Sequence, residues 1–298
     1  MSGSNDPVVD RSLVRPDGRT IAWTECGVPD GRVLLRMPGT PGARYSFRED
    51  RTPWLERGLR VITTERPGFG ASTPWPERGH AGPADDVAAI LDEIGVEDVA
   101  LIGGSGGGPH VLAFCARHPD RVQAATISVG AAPVNDDEID KMIDLNARAL
   151  RLTRAGDLDG LRALVSHQRE LILADPLASF RAIMETAPPE DQRVMSDPVW
   201  QRGFTRSVTE ALNQGVDGWL HEGLVFEHNW HEIDLDAMKT SITWWASDGD
   251  RNIPLSATQR LVDSLPNVTL NVWTDGGHFT GYHREGEILD ELLARCDS

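Results

Sequence analysis

The chain has 298 residues, with 29 Lys and Arg against 46 Asp and Glu, a net charge of −17. Hydrophobic residues at 40% and charged residues at 25% can fill a core, which excludes disorder along the whole length. The acidity repels polyphosphates, so it argues against nucleic acid or an anionic membrane as a partner. Cys26, Cys115 and Cys296 are scattered and form no C-x-x-C pair, which speaks against a disulfide framework or a structural zinc site. The first residues carry neither the basic region nor the apolar run of a secretory signal. The most apolar stretch, 99–116, is broken by glycines, Pro109 and His110. A cytoplasmic protein is the expectation.

Residues 1–12 are expected to be a flexible N-terminus. From Leu13 to Glu25 two short strands flank the turn Pro16-Asp17-Gly18. An apolar run over 33–37 predicts a strand that ends in the loop Pro38-Gly39-Thr40-Pro41-Gly42. A second run over 60–64 is stopped by Pro67-Gly68-Phe69-Gly70. Val87, Ile90, Leu91 and Ile94 recur at helical spacing and predict a helix over 83–94. Buried strands follow over 99–102 and 124–129, with a helix over 107–118 between them. Such alternation describes a parallel sheet covered on both faces.

From 134 to 232 only helical patterns occur, among them Leu145, Ala149 and Leu152, then Leu161, Leu164 and Val165. Strands resume over 242–245 and 268–273, with helices over 256–264 and 285–295. The predicted fold class is α/β: a mostly parallel, doubly wound sheet with an inserted helical segment, the core being 13–133 and 233–298.

The most informative segment is Gly103-Gly104-Ser105-Gly106-Gly107, a G-x-S-x-G directly after a buried strand and directly before a helix. A sharp turn there strains the central Ser and exposes its hydroxyl, while the Gly106 N–H and the helix N-terminus face the same space. No phosphate-loop pattern competes with this reading. A serine hydroxyl needs a base, and the base needs a group that holds its tautomer. Two later strands lead to Asp248-Gly249-Asp250 and to Gly276-Gly277-His278, the required loops in the required order. His278 is the candidate base, with His283 behind it. Asp248 and Asp250 compete as the acid, and Asp136 or Asp137 is a weaker alternative.

Together these segments resemble the α/β-hydrolase superfamily. Pro38-Gly39-Thr40-Pro41-Gly42 is similar to its H-G-x-P-G oxyanion loop, and Glu65-Arg66-Pro67-Gly68-Phe69-Gly70-Ala71-Ser72 to its D-R-P-G-x-G-x-S segment. Asp250, four residues before Pro254, matches the acid loop, which selects it over Asp248. Gly277-His278 matches the terminal G-H. The resemblance implies a triad of Ser105, Asp250 and His278, an oxyanion hole from the Thr40 and Gly106 N–H groups, and a helical cap over 134–232. Two positions depart from the pattern: Pro38 stands where His is usual, removing a side chain that often braces the oxyanion loop, and Glu65 stands where Asp is usual.

A Ser nucleophile disfavours dehalogenase or epoxide hydrolase chemistry, which uses Asp in this superfamily. The expected function is hydrolysis of a carboxylic ester, lactone or thioester, with no metal or organic cofactor. The alternative is the same triad used for elimination, cyclisation or C–C bond cleavage. A peptidase similar to proline iminopeptidases, or a binder without catalysis, ranks lower. Phe180, Met184, Met195, Trp200, Phe204, Trp219, Phe226 and Trp230 give the cap apolar and aromatic material, which favours a moderately large apolar substrate. His221, His228 and His231 lack the spacing of a metal site.

Overall fold

The computed structural model describes residues 7–297. Eight strands form one sheet: β1 (Val9–Val14), β2 (Thr20–Gly27), β3 (Arg32–Met37), β4 (Leu59–Thr64), β5 (Val99–Gly104), β6 (Val122–Ser128), β7 (Ile242–Ser247) and β8 (Val268–Trp273). Their order is β1-β2-β4-β3-β5-β6-β7-β8. β1 and β2 pair antiparallel, β2 and β4 likewise, and every other pairing is parallel.

Successive side chains on a strand point to opposite faces, so a central parallel strand must be apolar throughout. Leu34 and Leu35 illustrate this, both fully buried but in different cores. Leu35 joins Leu101, Val111, Phe114 and Ile127 on one side. There helices Ala81–Glu93, Gly107–Arg117 and Leu255–Val262 supply the covering apolar residues. Leu34 joins Ala100, Trp54, Trp273 and Leu289 on the other, with Glu285–Cys296 as the main covering helix. The sheet is therefore doubly wound.

Between β6 and β7 the chain is helical, as the loss of the strand pattern predicts. The boundaries follow from capping chemistry. Asp157, Asp175 and Asp197 each accept a backbone N–H from the first turn of the helix they precede, and Pro176 and Pro198 open two of those helices. Ile143, Met184, Val194, Met195 and Trp200 form a hydrophobic cluster within this segment.

One expectation differs. Residues 9–12, assigned to a flexible N-terminus, lie in β1 and pair with residues 22–25 of β2. The strand sits at the sheet edge with Asp10, Arg11 and Ser12 exposed, so it shows no apolar alternation and reads as a polar lead. Residues 1–6 of that call lie outside the described residues. Among the described residues, no helix is long and apolar enough to cross a membrane.

Candidate active site

The parallel strands all deliver their following loops to one end of the sheet, and that is where the candidate residues collect. Because β3 lies beside β5, the loop after Met37 adjoins the turn after Gly104. Ser105 occupies that turn with φ of 50°, a left-handed conformation that costs a non-glycine residue about 1–3 kcal/mol. Its surroundings hold it there. The Ser105 N–H donates to the Ser128 carbonyl at 3.0 Å, and its own carbonyl accepts from Gly108 and Ala131, both at 2.9 Å. The glycines that follow are required by close approach: a Cβ at Gly107 would strike the Met37 carbonyl, and one at Gly106 would strike the Thr40 hydroxyl.

The loops after β7 and β8 bring Asp250 and His278 together. His278 Nδ1 and Asp250 Oδ2 are 2.8 Å apart, and both residues are buried. The other oxygen of Asp250 accepts backbone N–H groups from Asn252 at 2.7 Å and Ile253 at 3.1 Å, which fixes the carboxylate. Burial drives the imidazole toward its neutral form, but the charge and hydrogen bond of Asp250, with the charge of Asp191, outweigh it. His278 therefore sits above its ordinary pKa. Ser105, His278 and Thr40 line one cavity of about 410 Å³. The competing residues lie elsewhere: Asp248, Asp136 and Asp137 are exposed, and the His283 ring is 3.5 Å from Glu190.

The loop 38–42 lies against Ser105, since a Cβ at Gly39 would come within 3.3 Å of the Ser105 Cβ. Its backbone is gripped by Arg66. Nη1 donates to the Pro38 carbonyl at 2.5 Å, and Nη2 to the Gly39 carbonyl and the Thr40 hydroxyl, both at 2.8 Å. Glu65 organises the segment that carries Arg66. It accepts from the backbone N–H groups of Arg44, Ala71 and Ser72 and pairs with the Arg44 guanidinium at 2.8 Å. Burial nevertheless pushes its carboxyl above the usual value.

Two buried carboxylates from the inserted helices also reach this region. Asp191 accepts the backbone N–H groups of His278 at 2.9 Å and Phe279 at 2.7 Å. Glu222 meets Arg66, Arg78 and His110. Neither stands out among 46 acidic residues in the sequence. One signal was available for Glu222: it falls in helical register between Gly218 and Val225, on the face that is buried.

Of the aromatic material in the insertion, Phe180, Trp200, Phe204 and Trp219 line the cavity. The Trp200 and Phe204 rings stack at 4.8 Å, and Trp200 meets Phe279, next to His278, at 5.3 Å. Met184 and Met195 belong instead to the insertion's own core. Phe226 and Trp230 pack around His80.

A model of the alpha/beta hydrolase fold matches residues 32–283. The chain is 27% identical over 269 residues to a 2-hydroxymuconate semialdehyde hydrolase of Pseudomonas putida, covering 88% of this chain and 84% of that protein. It is 31% identical over 118 residues to a bifunctional esterase/perhydrolase of Acinetobacter calcoaceticus, covering 39% of this chain and 43% of that one. An esterase structure from Exiguobacterium antarcticum superposes with a TM-score of 0.68 at 17% identity, covering 96% of this chain and 99% of the other.

Proposed function

We propose, from the premise that this chain belongs to the α/β hydrolase fold family, that it is a serine hydrolase acting on a carboxylic ester, lactone or thioester of a moderately apolar small molecule. The observation that carries this reading is His278, paired with Asp250 at 2.8 Å, lining the same cavity as the strained Ser105. In the proposed reaction His278 Nε2 takes the proton from the Ser105 hydroxyl as Oγ attacks the substrate carbonyl. Asp250, held on Nδ1, keeps the imidazole in the tautomer that leaves Nε2 free and stabilises the imidazolium that forms.

The tetrahedral oxyanion is received by the N–H groups of Thr40 and Gly106. Losing one such donor typically costs on the order of 100-fold in rate. Collapse of the intermediate expels the alcohol or thiol, which takes the proton back from His278. Water then attacks the acyl-enzyme with His278 again as base, releasing the acid and restoring Ser105. The wall of Phe180, Trp200 and Phe204 supports an apolar or aromatic group in the substrate.

Hydrolysis of p-nitrophenyl butyrate by the parent, lost by at least about 10⁴-fold in a folded Ser105→Ala variant, is the expected result. Equal turnover by the two proteins would overturn the assignment. A second reading, cleavage of a C–C bond by the same triad, is favoured by the relative whose name describes a semialdehyde hydrolase and which aligns over most of the chain. It predicts slow turnover of small esters by a Ser105 that still reacts with a serine-directed probe.

A further inference from the structure

The loop Pro38-Gly39-Thr40-Pro41-Gly42 has no polar side chain other than that of Thr40, and proline contributes no N–H at two of its five positions. It cannot brace itself. Its carbonyls need donors from outside, and Arg66 supplies two of them, those of Pro38 and Gly39, at 2.5 and 2.8 Å, with a third hydrogen bond to the Thr40 hydroxyl at 2.8 Å.

Arg66 is itself buried, so its charge requires a partner. That partner is Glu222, fully buried, with Oε1 2.7 Å from Arg66 Nε. The Thr40 hydroxyl donates to the same oxygen at 3.4 Å, and His110 Nε2 lies 2.8 Å from it. The second oxygen takes Arg78, whose side chain is also fully buried. Burial alone would raise the Glu222 carboxyl, but Arg66, Arg78 and His110 hold it well below the carboxylate range.

These partners come from different parts of the chain. Arg66 follows β4, Arg78 precedes the helix Ala81–Glu93, and His110 lies on the helix that begins behind Ser105. Glu222 alone comes from the insertion, on helix Asp217–His228. The start of that helix rests on the segment bearing Arg66, since a Cβ at Gly218 would strike the Gly68 carbonyl.

We propose that Glu222 is a positioning residue: through Arg66 it fixes residues 38–40 so that the Thr40 N–H is aimed at the oxyanion forming on Ser105. The inserted helices then set the rate of the chemical step as well as the shape of the cavity. Arg66 and Arg78 outnumber Glu222 by one charge. Burial lowers the pKa of His80 to about 3 and of His110 to about 4, so neither adds charge at neutral pH. The guanidinium of Arg66 stands directly behind the loop, holding the Pro38 and Gly39 carbonyls.

The proposal rests on the serine-hydrolase reading, and its test separates the two. Glu222→Gln keeps the side-chain volume and removes the charge. Thr40→Val keeps the N–H and removes only the hydroxyl between Arg66 and Glu222. For each variant, kcat and KM on p-nitrophenyl butyrate are measured alongside the affinities for an alkyl trifluoromethyl ketone and its methyl ketone analogue. The fluorinated ketone adds to the serine oxygen as an anionic adduct, whereas the methyl ketone reports cavity binding.

The expected result for Glu222→Gln is a fall of roughly 10- to 100-fold in kcat and trifluoromethyl ketone affinity, with KM and methyl ketone affinity within about twofold. Thr40→Val should change the same two quantities in the same direction by roughly tenfold. If Glu222→Gln does not fold, Thr40→Val decides. A kcat within about twofold of the parent overturns the positioning role, and so does a loss spread over all four quantities, with KM rising and methyl ketone affinity falling alongside the other two. If the parent binds the fluorinated ketone no better than the methyl ketone, the serine-hydrolase reading itself fails.

Discussion

The loops that carry Asp250 and His278 and the loop 38–42 beside Ser105 are held in different ways. Asp250 is fixed by two backbone N–H groups from its own loop, and the loop of His278 by the carboxylate of Asp191, again through backbone N–H groups. The loop 38–42 is instead held by a guanidinium, which a buried glutamate must neutralise in turn. Amide donors carry no net charge, so the first arrangement tolerates the loss of one member. Removing Glu222 from the second strands two buried cations. Both arrangements still share one design: each is gripped by a carboxylate of the inserted helices.

The largest expected effect lies within the first arrangement. Asp250→Asn preserves the shape but supplies the wrong tautomer to His278, and should lower kcat on the order of 10⁴-fold with little change in the urea unfolding midpoint. The comparison itself is tested by the two carboxylates. Glu222→Ala should cost about 3–5 kcal/mol of stability, because Arg66 and Arg78 are left unpaired in a dry interior. Asp191→Asn keeps an acceptor oxygen for only one of the His278 and Phe279 N–H groups, which bind different oxygens of the carboxylate, but strands no charge and should cost about 1–3 kcal/mol. Urea titrations giving equal losses would break the contrast.

A smaller effect is expected in the cavity wall. Phe204→Ala removes the ring stacked on Trp200, so KM for an aryl ester should rise roughly tenfold while kcat stays within about twofold. The smallest effect is on the pH profile. His278 must be neutral to act as base, and its pKa lies above the ordinary value of about 6.5. The parent's kcat/KM should therefore be low in acid and rise with pH through a midpoint above about 6.5. Asp191 contributes to holding that pKa up, so in Asp191→Asn the midpoint should move to lower pH. A midpoint that stays put or moves upward would remove Asp191 from the electrostatics of the base.

The parts legible in the sequence are those whose signal is local. The strands β3, β5, β6 and β7 are apolar runs bounded by turns, and Ser105 is announced by the glycines its turn requires. The order of strands places the loops of Asp248-Gly249-Asp250 and His278, the resemblance to the acid loop selects Asp250, and the structure brings Asp250 and His278 to hydrogen-bond distance. β1 was hidden because an edge strand with solvent on its outer side need not alternate. Asp191 and Glu222 were hidden for a different reason. A carboxylate acquires a role from burial and from partners 87 to 156 positions distant, such as Arg66 for Glu222 and His278 for Asp191, and neither is written beside it. The absence of a side-chain donor at Pro38 posed the question that Arg66 answers, although the answer lies 28 residues downstream.

The central claim is that Ser105 is a nucleophile activated by His278, and intact-mass measurement after exposure to a fluorinated alkyl organophosphonate tests it most directly. The account predicts one adduct per chain, located on Ser105, absent from Ser105→Ala and formed on the order of 10³-fold more slowly in His278→Ala. An unlabelled parent, an adduct at another residue, or a His278→Ala variant labelled at the parent's rate would contradict it.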